Sequence, residues 1–176
     1  MNKKVNSKEY YNSISSSYNE LYGEEQLEKI KVIKSLLIKK NILKNKGKVI
    51  DLGCGSGLSS FWFKEYGYDV FGYDISDNLI NIAKEKFPKN NYICFNVDNI
   101  NHLDFKKDEF DIGISISAIQ NFDSPIDVFN EMMRFSKNVI ITYPKKINDN
   151  KLEFLKNDKR LVFFDCKKDK GYIYTP

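Results

Sequence analysis

The chain is short of several residue types that chemistry often needs: one histidine (His102), two arginines (Arg134 and Arg160), three cysteines and four prolines in 176 residues. Cys54, Cys94 and Cys166 are odd in number, far apart and at no metal-ligand spacing. That excludes a disulfide framework and a cysteine-built metal centre, and it fits reduced, buried thiols in a cytoplasmic setting. Arginine is too scarce for the concentrated bidentate patch of a dedicated nucleic-acid binder, and the net charge of +4 comes from lysines dispersed among acids. Nucleic acid is thereby disfavoured as a partner but not excluded. No apolar run approaches the ~18 residues of a membrane span, and the opening "MNKKVNSKEYY" is too polar for a signal peptide, so no membrane association is expected.

What is present is a balance of 41% hydrophobic and 30% charged residues, which a folded chain can use to build a core and a disordered one lacks. The length suits one domain over residues 1–176, with helices over 1–45 and a core sheet over 46–176. Periodicity alternates between helix and strand, which predicts an α/β fold with a mostly parallel sheet and helices on both faces. A helix over about 8–22 places Tyr11, Ile14, Tyr18 and Tyr22 on one face, and a second follows Gly23 with Leu27, Ile30, Ile33 and Leu37 as its apolar stripe. Strands are expected at Lys48 to Leu52 and in "YDVFGYDIS", "NYICFNV", "FDIGISIS" and "NVIITYP". Ser76 and Ser124 read as N-caps of the intervening helices, the latter with Pro125 at N1 and Asp127 at N3. A further helix is expected near Asp149 to Leu155. "RLVFFDC" and "GYIYTP", joined by "KKDK", complete seven strands, and so short a connection makes the last pair antiparallel.

The stretch "VIDLGCGSG", Val49 to Gly57, puts three glycines in five positions behind the first strand. Glycines there let backbone approach a ligand, and a helix opening behind them presents free N–H groups to negative charge. A dinucleotide site wants GxGxxG; this chain has GxGxG followed by Leu58 and Ser59. Asp51, two residues ahead of Gly53, suits a ligand amino group and sits awkwardly beside a pyrophosphate. The glycines therefore favour a ligand carrying both an amine and a carboxylate.

"VIDLGCGSG" followed by "VFGYDIS" resembles the first two motifs of the class I S-adenosylmethionine-dependent methyltransferases, and "FDIGISISAIQNF" is similar to their fourth-strand motif. The N-terminal "YNSISSSYNELY" resembles the Tyr-rich entry helix of the small-molecule, ubiquinone-biosynthesis-type branch. The resemblance runs from about Tyr11 to Tyr143. It implies a doubly wound, Rossmann-like seven-stranded sheet with an antiparallel C-terminal strand, and S-adenosyl-L-methionine as cofactor. It also implies that Asp51, Gly53, Cys54 and Gly55 surround the methionyl part, the Cys54 thiol being inert and its backbone the useful part. Asp74 would bind the ribose hydroxyls, as an ionised carboxylate can, and Ile75 would lie against the adenine. Asp98, or Asn99 if the one-residue longer spacing shifts the register, would accept from the exocyclic amine. Ser115 and Ile116 would line the cofactor, with Tyr11 and Tyr18 closing over it; aromatic stripes of this kind also serve as core.

For the acceptor pocket the candidates are Ser117, Gln120 and Tyr143. Gln120 and Asn121 stand where relatives often carry histidines, and amides orient a substrate without taking its proton. His102 is a candidate base or a surface residue of a polar connector, so no catalytic residue is assigned and no metal is expected. The motif of exocyclic-amine methylation is absent, "SISA" standing in its place, and there is no Pro-Cys nucleophile. The expected activity is methyl transfer to a small or medium organic acceptor. A tRNA or protein methyltransferase completed by a partner subunit or a second copy, and a catalytically silent cofactor-binding module, are the alternatives.

Overall fold

A computed structural model of the protein describes residues 7–95, 100 and 103–176. Asp98, Asn99 and His102 lie outside the described residues. The strands are β1 (Gly47–Leu52), β2 (Tyr68–Asp74), β3 (Asn91–Cys94), β4 (Phe110–Ile116), β5 (Ser136–Pro144), β6 (Val162–Cys166) and β7 (Asp169–Tyr174). They form one sheet in the order β3-β2-β1-β4-β5-β7-β6. The first five pair in parallel, and β7 runs antiparallel to both β5 and β6. This is the doubly wound, Rossmann-like arrangement that the resemblance implies, built on the parallel sheet that the alternation of elements predicts.

Five α-helices accompany the strands among the described residues: α1 (Ser7–Ile14), α2 (Tyr18–Lys39), α3 (Asp77–Lys86), α4 (Pro125–Phe135) and α5 (Glu153–Asn157). Ile33 and Leu37 of α2 pack with Val49, Val70, Ile112, Ile114 and Ile140 on one side of the sheet. On the other, Phe129, Met132 and Phe135 of α4 pack with Ile50, Leu52, Val139 and Ile141. Neighbours such as Val49 and Ile50 therefore feed opposite cores, which is why the central strands read as continuous apolar runs without alternation.

Several local expectations change. The break between the first two helices falls at a 3₁₀ turn over Ser15–Ser17, and Gly23 is buried inside α2. Serine hydroxyls compete for backbone carbonyls there: Ser13 Oγ donates to Tyr10 O at 2.7 Å and Ser15 Oγ to Asn12 O at 2.9 Å. Leu27 is 44% exposed while Lys29 is 1% exposed; the buried arc is centred near Gln26 and Ile33, and Leu27 lies about 100° from its middle. No α-helix opens directly behind the glycines. Residues 53 and 55–60 are turns and a 3₁₀ helix follows over Phe61–Tyr66, because Gly57 at φ 82° interrupts the right-handed backbone that an α-helix needs. Ser76 caps α3, accepting from Leu79 N at 3.2 Å. The Ser124 hydroxyl instead donates to Asp127 Oδ2 at 2.6 Å and caps no backbone amide. The final turn shortens to Lys167 and Lys168, since Asp169 and Lys170 already belong to β7.

Candidate functional site

Strand β1 has β2 on one side and β4 on the other, so the connection leaving the carboxyl end of β1 toward β2 and the one leaving β4 toward β5 run in opposite directions and open a crevice between them. The glycine turn fills the floor of that crevice. Gly53 N and Cys54 N donate to Tyr73 O at 2.8 and 3.1 Å, which holds the turn against β2. Gly53 has φ 79°, and a Cβ on it would stand 2.4 Å from Ala118 Cβ. At Gly55, with φ 52°, a Cβ would meet the Tyr18 hydroxyl at 3.3 Å. The side chains given up at these positions make room for the β4 end and for a tyrosine cover.

Two carboxylates stand beside the turn with no cation paired to either among the described residues. Asp51 is 0% exposed; one oxygen accepts from the Ser59 hydroxyl, and Oδ1 has no partner among the described residues. Burial pushes its carboxyl up to about 7, partly opposed by the Ser59 hydrogen bond and aided by the charge of Asp74. Asp74 is 8% exposed and accepts from Gly55 N at 2.8 Å and Ser76 N at 2.9 Å. Burial raises its carboxyl as well, against those backbone donors. Such a pair demands positive charge or several donors from a ligand. The free oxygen of Asp51 fits an ammonium, and the remaining lone pairs of Asp74 fit vicinal hydroxyls.

The N-terminal helices cover this crevice through polar contacts. Ser76 Oγ donates to Asn12 Oδ1 at 2.6 Å, so the residue that caps α3 also holds α1. Ser56 Oγ donates to Asn19 Oδ1 at 2.7 Å, and Asn121 Nδ2 donates to the Tyr11 hydroxyl at 2.9 Å. The Tyr11 and Tyr18 rings meet edge to face at 6.3 Å. Burial, with the Asp74 charge, pushes the Tyr11 phenol up to about 12, and burial raises that of Tyr18 further, so both stay neutral donors. A narrow cleft remains between α2 and the turn, lined by Tyr18, Gln26, Gly53, Cys54, Ser56 and Ile116 among others.

Tyr11, Tyr18, Asp51, Gly53, Cys54, Gly55, Asp74 and Ile116 are thus gathered around one crevice, with Ile75 directly behind Asp74. Cys54 is buried and burial raises its thiol strongly, which keeps it protonated. Ser115 is fully buried with an unpartnered hydroxyl. Two of the acceptor-pocket expectations change. Tyr143 is 1% exposed, stacked on Tyr172 at 6.1 Å within the α4-side core, because its position in β5 points it away from α2. The Ser117 hydroxyl is consumed, accepting from Lys29 Nζ at 2.7 Å and donating to Asp169 Oδ2 at 2.6 Å. Gln120 donates through Nε2 to Ser117 O at 2.6 Å, and its buried Oε1 has no partner. Sequence reasoning missed Gln26, whose buried Oε1 is likewise unpartnered, and the helix-holding Asn12, Asn19 and Lys29. Polar residues at ordinary helix positions carry no mark of their partners far along the chain.

The chain matches the family described as "Methyltransferase domain" over residues 50–139. It is 36% identical over 78 residues to phosphoethanolamine N-methyltransferase of Plasmodium falciparum, a match covering 44% of this chain and 29% of that protein. An uncharacterized protein of Methanocaldococcus jannaschii is 30% identical over 175 residues, covering 97% of this chain and 65% of the relative. The chain thus spans less than two thirds of the length of these curated relatives. Magnesium protoporphyrin IX methyltransferase from Synechocystis, solved with bound SAM, superposes with a TM-score of 0.73 at 15% identity, covering 96% of this chain and 95% of that one. With the family match running from within the first strand, through the glycine turn, β2, β3 and β4, into β5, the chain belongs to the methyltransferase domain family.

Proposed function

We propose that the chain is an S-adenosyl-L-methionine-dependent methyltransferase acting on a small or medium organic acceptor. The observation that carries the reading is the pair of buried carboxylates, Asp51 and Asp74, around a glycine turn, with no cation paired to either among the described residues. In this reading Asp51 holds the ligand ammonium, with Gly53, Cys54 and Gly55 supplying backbone around the methionyl part. Asp74 takes the ribose hydroxyls and Ile75 lies on the adenine. Ser115 and Ile116 form the wall toward the β4 end, and Tyr11 and Tyr18 close the cleft against water.

Bound there, the cofactor supplies a methyl group already activated by its sulfonium. What the protein must add is position and exclusion of water. Gln120, with Nε2 fixed on Ser117 O, keeps a buried Oε1 without a partner among the described residues, which would accept an N–H or O–H of a molecule that reaches in behind the β4 end. Neither Gln120 nor Asn121 can take a proton near neutral pH. The acceptor atom therefore arrives as a nucleophile that needs no protein base at these two positions.

The test is transfer of radiolabelled methyl from S-adenosylmethionine to three separate pools: small metabolites, bulk RNA and protein. Label in the metabolite pool is expected. Label confined to RNA or protein would replace the acceptor class with a macromolecule, and no label in any pool beside tight cofactor binding would favour a silent binding module.

A further inference from the structure

The cover helix α2 carries a lysine that the catalytic reading does not use. Lys29 is 1% exposed, a rare placement for an ammonium, which must be matched by charge and hydrogen bonds when water is removed. Its partners come from three elements. Lys29 Nζ lies 2.8 Å from Asp169 Oδ1 in β7, 2.6 Å from Glu25 in its own helix, and donates to Ser117 Oγ behind β4 at 2.7 Å. Asp169 is itself 0% exposed, and its Oδ2 accepts from Ser117 Oγ at 2.6 Å and from Thr142 Oγ1 of β5 at 2.7 Å.

Ser117 is the hub of this cluster. It has φ 56°, a left-handed conformation that non-glycine residues adopt only where surroundings over-determine it. Its N–H donates to Thr142 O and Thr142 Oγ1, both at 3.0 Å, and its carbonyl accepts from Gln120 Nε2 at 2.6 Å. Every polar group of Ser117 is therefore occupied. The residue before it, Ile116, and Gln26, one turn before Lys29 in α2, both line the cleft.

We infer that Lys29 and Asp169 are positioning residues: their ion pair clamps α2 to the Ser117 turn and sets both the width of the cofactor cleft and the orientation of Gln120. The inference rests on the methyltransferase reading for what the cleft holds. The geometry of the clamp stands without it. Lys29 touches no ligand; it acts through Ser117 on one side of the cleft and through the register of α2 on the other.

The test compares wild type, Lys29→Met, and Lys29→Met with Asp169→Asn, by thermal melting, calorimetric titration of S-adenosylhomocysteine, and hydrogen exchange of the free proteins. Lys29→Met strands a buried carboxylate and lowers the melting temperature; the double variant removes that charge, keeps an acceptor for Ser117 and Thr142, and recovers most of the loss. The cofactor product nevertheless binds at least about tenfold more weakly to both variants than to wild type. Exchange in Lys29→Met quickens together in Tyr18–Ile30 and Ser117–Asn121 while β1 and β2 stay protected. Recovery of wild-type affinity along with stability in the double variant would reduce the pair to a fold-stabilising contact and overturn the inference. If wild type itself binds no S-adenosylhomocysteine, the cofactor reading fails and the exchange arm still decides the clamp: quickening confined to α2 overturns it.

Discussion

Asp51 concentrates the chemistry of the site in one side chain. Its ordinary carboxyl value is 3.8, and burial pushes it up to about 7. A raised carboxyl means that the folded state favours the protonated form. The stability this contributes is fully present below about 4 and is lost as pH rises through about 7. Asp51→Asn removes the titration, so the melting temperature of the free wild type should fall relative to Asp51→Asn between pH 5 and pH 8. Asp74 is also raised; its own burial is common to both proteins, while its charge repulsion with Asp51 is lost in Asp51→Asn and belongs to the difference measured. Parallel melting profiles across that range would contradict the burial of an uncompensated carboxylate. An ammonium-bearing ligand should reverse the trend, since it holds Asp51 ionised.

At the scale of elements, α1 stands apart from the other four described α-helices, each of which buries at least one residue. None of its residues is buried, and its attachment is polar, through Asn12 to Ser76 Oγ and Asn78 N and through Lys8 to Asp77 at 2.6 Å. Asn12→Ala should therefore cost only about 1 kcal/mol or less of global stability. Limited proteolysis gives the sharper readout: cleavage near residues 7–17 should accelerate while the sheet from β1 to β7 stays resistant. An unchanged cleavage rate would mean that the α1 attachment does not depend on Asn12. The same segment marks the limit of sequence reasoning. Apolar periodicity located α3 and α4, and continuous apolar runs located the central strands, because burial on one face or on both imposes those patterns. The α1–α2 boundary followed serine side-chain bonds, and the burial of Lys29 followed an acid 140 positions away, neither of which leaves a periodic trace.

For the whole molecule, the parallel order β3-β2-β1-β4-β5 creates one crevice, and the family motifs line it. That much was legible in "VIDLGCGSG", Asp74 and the alternation of elements. The chemistry of glycine and carboxylate at strand ends is local and spacing-bound. The acceptor side was not legible in this way: Tyr143 turned into the core and Ser117 became the centre of a buried network, since strand parity and a distant lysine decide where those side chains go. The family membership and the carboxylate pair lead to one direct experiment, calorimetric titration of S-adenosylhomocysteine into wild type and Asp74→Ala, with circular dichroism to verify that both are folded. The account predicts binding to wild type that the substitution weakens by about 1.5–3 kcal/mol, the scale of hydrogen bonds to a charged group. Absence of binding to folded wild type, or equal binding by Asp74→Ala, would contradict it.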